Sequence, residues 1–274
     1  MKPNPRTLIL NLLLAAEGGA MPARDAVAAC ALFGLRENSV RVALARLAAS
    51  GLVEAAGRGA YRLGRNAQGL ASDVSTWRNA EQRLGDWNGD WIAVHTGALG
   101  RSDRVALRNR NRALAMLGLR ELERGLFLRP DNLVGGVEGV RTRLLGLGLD
   151  SNAAVFVARG FDAPREQRAR GLWDGEALDR HYRDTRRRLE DWLAGAGELD
   201  TDVAARESFL LGNAAIRSLV FDPLLPPPLI DADARHAFIE SVQRFDSAGH
   251  AIWRRLRLLP PTAATALRAA ADTH

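Results

Sequence analysis

The chain has one cysteine, Cys30, and one lysine, Lys2. A lone cysteine excludes an intramolecular disulfide and fits a reducing compartment, and no Cys-x-x-Cys pair exists to hold a zinc ion. Cys30 lies in the apolar run "AVAACALF" and reads as a small buried hydrophobe. With lysine almost missing, positive charge is carried by arginine throughout, so an arginine at a given position reflects composition before it reflects a role. No apolar run approaches the roughly 18 residues of a membrane-spanning helix, and the expected location is the cytoplasm. A Gly-rich phosphate loop and a Gly-x-Ser-x-Gly nucleophile turn are also missing. The five histidines, His95, His181, His236, His250 and His274, show no metal-ligand pairing. There is no internal repeat.

What is present is an ordinary globular composition: 274 residues, 47% hydrophobic and 26% charged, room for two or three small domains. The net charge of +6 is unevenly spread. Residues 1 to 65 hold nine basic and four acidic residues, so most of the excess lies in the first quarter, where a polyanion would dock. The opening "MKPNPRTLILNLLLAAEGGAMPA" has the basic, apolar and small residues of a secretory signal. Asn11 interrupts the apolar run, Glu17 follows it, and Leu8, Leu12 and Ala15 recur at helical spacing, which favours an amphipathic first helix.

From residue 6 to 65 the periodicity predicts three helices, over 6–16, 23–33 and 37–50, followed by short strands at 52–56 and 60–63. Gly34 separates the second and third helices, Gly51 ends the third, and Gly57 and Gly59 flank Arg58 at a hairpin tip. Three helices and a hairpin make a winged helix-turn-helix. Beyond a helical connector, "GDWIAVHTG" and "NAAVFVARG" read as buried strands. An Arg-rich helix, a strand "GLFLRP" and a helix "VEGVRTRLLGLG" lie between them, much of a ferredoxin-like unit. The remainder is helical, broken by a proline elbow at 223–228. The expected fold is therefore α+β and mainly helical. Its parts are a winged-helix domain (1–68), a connector (69–85), a central ferredoxin-like domain (86–162) and a helical C-terminal domain (163–274).

Placing Val40, Leu44 and Leu47 inward turns Asn38, Val42 and Ala45 outward, with Arg41 on one side and Ser39 and Arg46 on the other. Small residues in the centre and donors at the edges suit a helix that enters a DNA major groove, although a solvated helix with surface arginines has the same pattern. The hairpin adds a second contact. An arginine between two glycines, Arg58, reaches a backbone or minor groove unobstructed, and Arg62 and Arg65 are either added phosphate contacts or plain solvated residues.

The segments "RTLILNLLLAA", "LRENSVRVALARLAASGLV", "YRL", "WNGDW", "LFLRPDNLVGG" and "FDPLLP", in this order, resemble the PaaX-like repressors of the phenylacetic acid degradation pathway. The resemblance covers most of the chain. It implies a dimeric cytoplasmic repressor on a palindromic operator in double-stranded DNA, released by an acyl-CoA effector, in the best-known members phenylacetyl-CoA. It also implies a central domain similar to a small CRISPR adaptation nuclease. Arg41 and Arg46 fall where the family's recognition helix has arginines, and Gly57 and Arg58 match its wing. Trp87, Gly89 and Trp91, and the run Arg129 to Asn132, match segments read as architectural. Three places depart from the pattern: the wing reads "GRGAY", one basic residue short; "PPPLIDADARHAF" lacks a Trp-x-Gly element; and "LLLAAEGG" lacks a Phe-Gly.

An enzyme is not expected. Where such a nuclease needs a carboxylate at the end of its first strand, the chain has His95 and Thr96, and Asp90 lies too early. A winged helix that contacts protein and has no effector is the other alternative. For a CoA thioester the arginine candidates are Arg108 and Arg112 in the central helix, with Arg110 between them, and Arg186 and Arg187 with Arg188 in the C-terminal part. Taken alone, each run reads first as a solvated face.

Overall fold

The computed structural model describes residues 4–16, 19–67, 76–100 and 102–256. It is a mixed α and β structure, mostly helical, with two small antiparallel sheets. Two compact units divide it, each assembled from separate stretches of chain: Met1–Ser75, Arg188–Ile216 and Ser241–His274 in the first, Thr76–Arg187 and Arg217–Glu240 in the second.

In the first unit, helix α1 (Pro5–Ala15) starts at Asn4, whose side chain accepts from the Thr7 amide at 2.8 Å while Pro5 occupies the first turn. A two-residue strand β1 (Met21–Pro22) leads into α2 (Ala23–Ala31), and Gly34 (φ 71°) allows the turn into α3 (Glu37–Ala49). Strands β2 (Val53–Ala55) and β3 (Ala60–Leu63) follow, and the sheet runs β1-β3-β2. The glycines at the β2–β3 turn, Gly57 (φ 96°) and Gly59 (φ 72°), hold a backbone that a side chain would strain. Leu8, Ile9, Leu12 and Leu13 of α1 meet Val40, Leu44 and Leu47 of α3 around the fully buried Cys30. Burial pushes the Cys30 thiol up to about 12. The core is completed by residues from far along the chain: Phe209 and Trp253 pack on Phe33 at 5.4 and 6.5 Å, and the Trp253 indole donates to the Ala205 carbonyl.

The second unit has the succession β4 (Trp91–His95), α4 (Arg104–Met116), β5 (Arg120–Glu123), β6 (Leu126–Pro130), α5 (Gly136–Gly146), β7 (Ala154–Ala158). Its antiparallel sheet is ordered β5-β6-β4-β7. Helix α6 (Ala163–Arg170) follows. Three long helices, α7 (Gly175–Gly195), α8 (Thr201–Val220) and α9 (Ala232–Arg255), supply residues to both units.

Central β4 is the buried strand its sequence suggests. "AVFVA" in β7 is instead a half-buried edge strand, with Phe156 42% exposed. Strand β5 goes beyond the sequence reading: among its four residues only Leu122 is buried, a pattern an edge strand tolerates and a hydrophobicity scan passes over. The described part of the connector forms two short 3-10 turns, Thr76–Asn79 and Glu81–Arg83, and residues 68–75 lie outside the described residues.

The two quoted tryptophan and arginine motifs are built into this second unit. Trp87 meets Trp91 edge-on at 5.3 Å, Trp91 stacks on Trp173, and Gly89 (φ 97°) makes the turn between them. Arg129, 1% exposed, donates to the Leu117 and Pro130 carbonyls and to Asn132, and burial pulls its guanidinium down to about 9. The Asn132 amide in turn donates to the Leu224 carbonyl at 2.8 Å. Leu224 holds a left-handed backbone (φ 52°), and its own amide donates to Asp222, which also accepts from the Tyr182 hydroxyl at 2.7 Å. The motifs around 129–132 and 221–226 are thus two halves of one buried polar clamp.

Candidate nucleic-acid interface

Helix α3 buries Val40, Leu44 and Leu47 and leaves Asn38, Ser39, Arg41, Val42, Ala45 and Arg46 exposed. Val42, at 42%, is one of the large apolar side chains open to solvent. An exposed strip with a small apolar centre and donors on both margins can lie against base edges, the margins reaching guanine acceptors or phosphate. The strip borders a cleft of about 570 Å³, whose other wall is the start of α1, Asn4 and Arg6. The sequence reading counted Arg6 toward the local charge and did not place it here. Its helix follows the cap at Asn4, so only the packing of α1 on α3 brings it to Asn38 and Arg46.

The arginines differ in how available they are. Arg41 is tied to Glu37, one turn back on the same helix, with guanidinium distances of 2.6 and 2.8 Å. Arg62 pairs with its cross-strand neighbour Glu54 at 2.7 Å. Among the described residues, Arg6, Arg46 and Arg58 have no carboxylate partner. Arg58 projects from the β2–β3 turn with open space around both flanking glycines.

The arginines expected at an effector lie elsewhere. Arg108 and Arg112 are exposed on α4, and Arg110 between them is buried, donating to the Gly100 carbonyl. Arg187 faces Asp184 at 3.7 Å on α7, and Arg186 is half-buried with a partner of its own. None of these lines the cleft at α3. On the rival enzymatic reading, His95 is exposed at the end of β4 and Thr96 is buried against Gly125. Asp90 sits near Asp131, whose carboxyl is raised by burial and by that neighbouring charge. No group of three or more metal-binding side chains occurs among the described residues. No described helix is long and apolar enough to cross a membrane.

A family description, PaaX-like protein, matches residues 4–67, and a second, PaaX-like protein C-terminal domain, matches residues 173–255. No curated protein matches the chain. Among solved structures, uncharacterized protein Rv0674 from Mycobacterium tuberculosis is similar, with a TM-score of 0.56 and 24% identity. That match covers 90% of this chain and 99% of the other, a likeness of fold. The two family regions take in the whole candidate interface and the long C-terminal helices that complete its core, and together they span more than half of the sequence: the chain belongs to the PaaX-like protein family.

Proposed function

We propose that the chain is a sequence-specific DNA-binding transcriptional repressor of a catabolic operon. In this reading residues 1–68 act as a winged helix-turn-helix, α3 entering the major groove and the Gly57-Arg58-Gly59 turn serving as wing. The observation that carries it is the exposed strip of α3 along the cleft it shares with Arg6 and Arg46, arginines that, like Arg58 at the β2–β3 turn, have no carboxylate partner among the described residues. Arginines left uncompensated on one surface repel one another until a polyanion neutralises them.

The succession β4-α4-β5-β6-α5-β7 is a ferredoxin-like unit, here without a catalytic role, followed by the helical C-terminal part. Two protomers would place two α3 helices in successive major grooves of a palindromic operator. An aryl acyl-CoA thioester such as phenylacetyl-CoA would favour a state whose spacing no longer matches the half-sites. Arg108, Arg112, Arg186 and Arg187 are the proposed phosphate contacts of that effector. The protein would work in the cytoplasm.

The test is fluorescence anisotropy of the protein on labelled DNA from upstream of its own gene, across a salt series and with a panel of acyl-CoA thioesters. Tight, salt-sensitive binding released by one thioester is the expected result. Absence of binding to any upstream fragment sinks the reading and favours a protein partner.

A further inference from the structure

The first unit holds a second cavity, about 80 Å³, between α1 and the parts of α8 and α9 that pack in the same unit. Its walls are Leu12, Phe209, Ile216, Phe245 and Trp253, and its polar edge is formed by Asn213 and by the pair Asp246 and His250. His250 Nδ1 lies 2.8 Å from the Asp246 carbonyl and 3.4 Å from its carboxylate. Its Nε2 lies 3.3 Å from the carbonyl of Ala15, at the last turn of α1. No arginine lines the space, and the two charged side chains neutralise each other, so the cavity offers nothing to a phosphate.

Two glycines keep it open. Gly212 in α8 and Gly249 in α9 sit in helix interiors, where glycine is disfavoured. A Cβ at Gly212 would meet Phe245 at 3.4 Å, and one at Gly249 would meet Ser208 at 3.6 Å, both tolerable contacts. Alanine would therefore fit at each, and its absence leaves room.

We propose that this cavity is a regulatory site for a small neutral aromatic molecule that carries one carbonyl or amide. The ring would lie among Phe209, Phe245 and Trp253, and the polar group at the Asn213 amide. An apolar cavity that holds a benzene ring has about 150 Å³, and the resting space is about half of that. The space is partly open to solvent, and a ring seated among the three aromatics presses on α1 where Leu12 lines it. Two of the three walls are locked together by the contacts of Trp253 with Phe209 and Ala205; the third, α1, packs on α3 through its buried leucines and reaches α9 at its end through the long His250 contact. The same α1 lines the cleft at α3 with its first residues, Asn4 and Arg6. An 11-residue helix, rigid over roughly 16 Å, carries a displacement at Leu12 to Arg6, opposite Arg46.

The ligand half of this inference stands by itself. The coupling half rests on the DNA-binding reading. Benzamide is the probe, followed by saturation-transfer NMR on the full chain, with isobutyramide and coenzyme A as comparators. Benzamide should bind saturably, isobutyramide more weakly and coenzyme A not at this site. In Gly212→Ala/Gly249→Ala, whose methyl groups fill the space and favour the helices, benzamide affinity should fall about tenfold or more, with DNA affinity unchanged. Asn213→Leu, which removes the amide at similar volume, should weaken benzamide and leave toluene unaffected. Saturating benzamide should weaken DNA binding by wild type about fivefold or more and leave the double variant unaffected. No saturable binding, or equal binding to the filled variant, overturns the site. Binding without an effect on DNA affinity overturns the coupling. Benzamide binding by a chain that ignores DNA would keep the site and sink the proposed function.

Discussion

Neutralising Glu37 should tighten DNA binding, whereas neutralising Arg46 should weaken it. Arg41 and Arg46 both stand on the exposed side of α3, and only Arg41 is held by a carboxylate. An exposed i,i+4 pair is worth only about 0.3–0.5 kcal/mol, so phosphate can break it. Glu37 then remains on the docking face as a like charge beside the backbone. Glu37→Gln removes both the competitor and the repulsion, for an expected gain of roughly 0.5–1 kcal/mol, a few-fold in affinity. It costs the free protein a favourable acidic residue in the first turn of α3, about 0.3–1 kcal/mol of stability. Arg46→Gln should lose about 1–3 kcal/mol per site if the side chain reads a base, with relaxed specificity at one position. If it meets phosphate, the loss is uniform across sequences. If Arg6, Arg46 and Arg58 on each of two protomers are the phosphate contacts, the slope of log affinity against log salt is near −5, about three orders of magnitude between roughly 50 and 200 mM salt, and Arg46→Gln lowers it by about 0.9 per protomer. Anisotropy titrations at four salt concentrations measure both quantities. An unchanged affinity and slope for Arg46→Gln, or weaker binding by Glu37→Gln, would refute the placement of α3 on DNA.

Three further outcomes concern the scaffold. Asn132→Ala strands the buried Arg129 guanidinium and the Leu224 carbonyl, and should cost about 3 kcal/mol in urea unfolding; a ligand-binding role for this segment predicts near-wild-type stability instead. His250 is raised from 6.5 to about 9, chiefly by its hydrogen bond to Asp246 and against the opposing effect of burial. A raised folded-state pKa gives stabilisation that is complete below about 6.5 and lost as pH climbs through about 9, on the order of 3 kcal/mol. The denaturation midpoint should fall between pH 6.5 and 9 in wild type and stay flatter in His250→Gln. Cys30, buried with its thiol pushed up to about 12, should resist iodoacetamide at pH 8 in the native protein and react once guanidinium unfolds it; rapid native labelling, followed by mass spectrometry, would contradict its place in the core.

The first 65 residues were legible because local rules agree there. Leu8 and Leu12 repeat at helical spacing, glycines stand at positive φ where the chain must turn, and Arg58 has a glycine on each side. Strand β1, two residues long, and β5, with Leu122 alone facing inward, carry too little pattern to register. The cleft escaped for another reason: Arg6 and Arg46 come to line one cleft through tertiary packing, and no periodicity links them. The buried clamp likewise joins Asn132 to Leu224 across 92 positions, so each motif is visible alone and their partnership is not. Clusters of arginine in the sequence say nothing about their acids. Arg187 finds Asp184 nearby, but Arg183 finds Asp231, which no count of local charge anticipates.

The discontinuity of both units bears on how the chain is made. Phe33 packs against Trp253, so the first core is incomplete until the last long helix has emerged, and the second waits for the segment that brings the Leu224 carbonyl to Asn132 and buries Leu225 and Ile230. At about 5–20 residues per second, the 220 positions between Phe33 and Trp253 take the ribosome roughly 10 to 40 s. During that interval the first three helices expose the apolar surface around Phe33 that Phe209 and Trp253 later cover, and a truncated N-terminal fragment would keep it exposed permanently. Such a nascent chain calls for shelter by a chaperone, and a stop between the third helix and residue 253 should yield aggregation in place of a free-standing N-terminal unit.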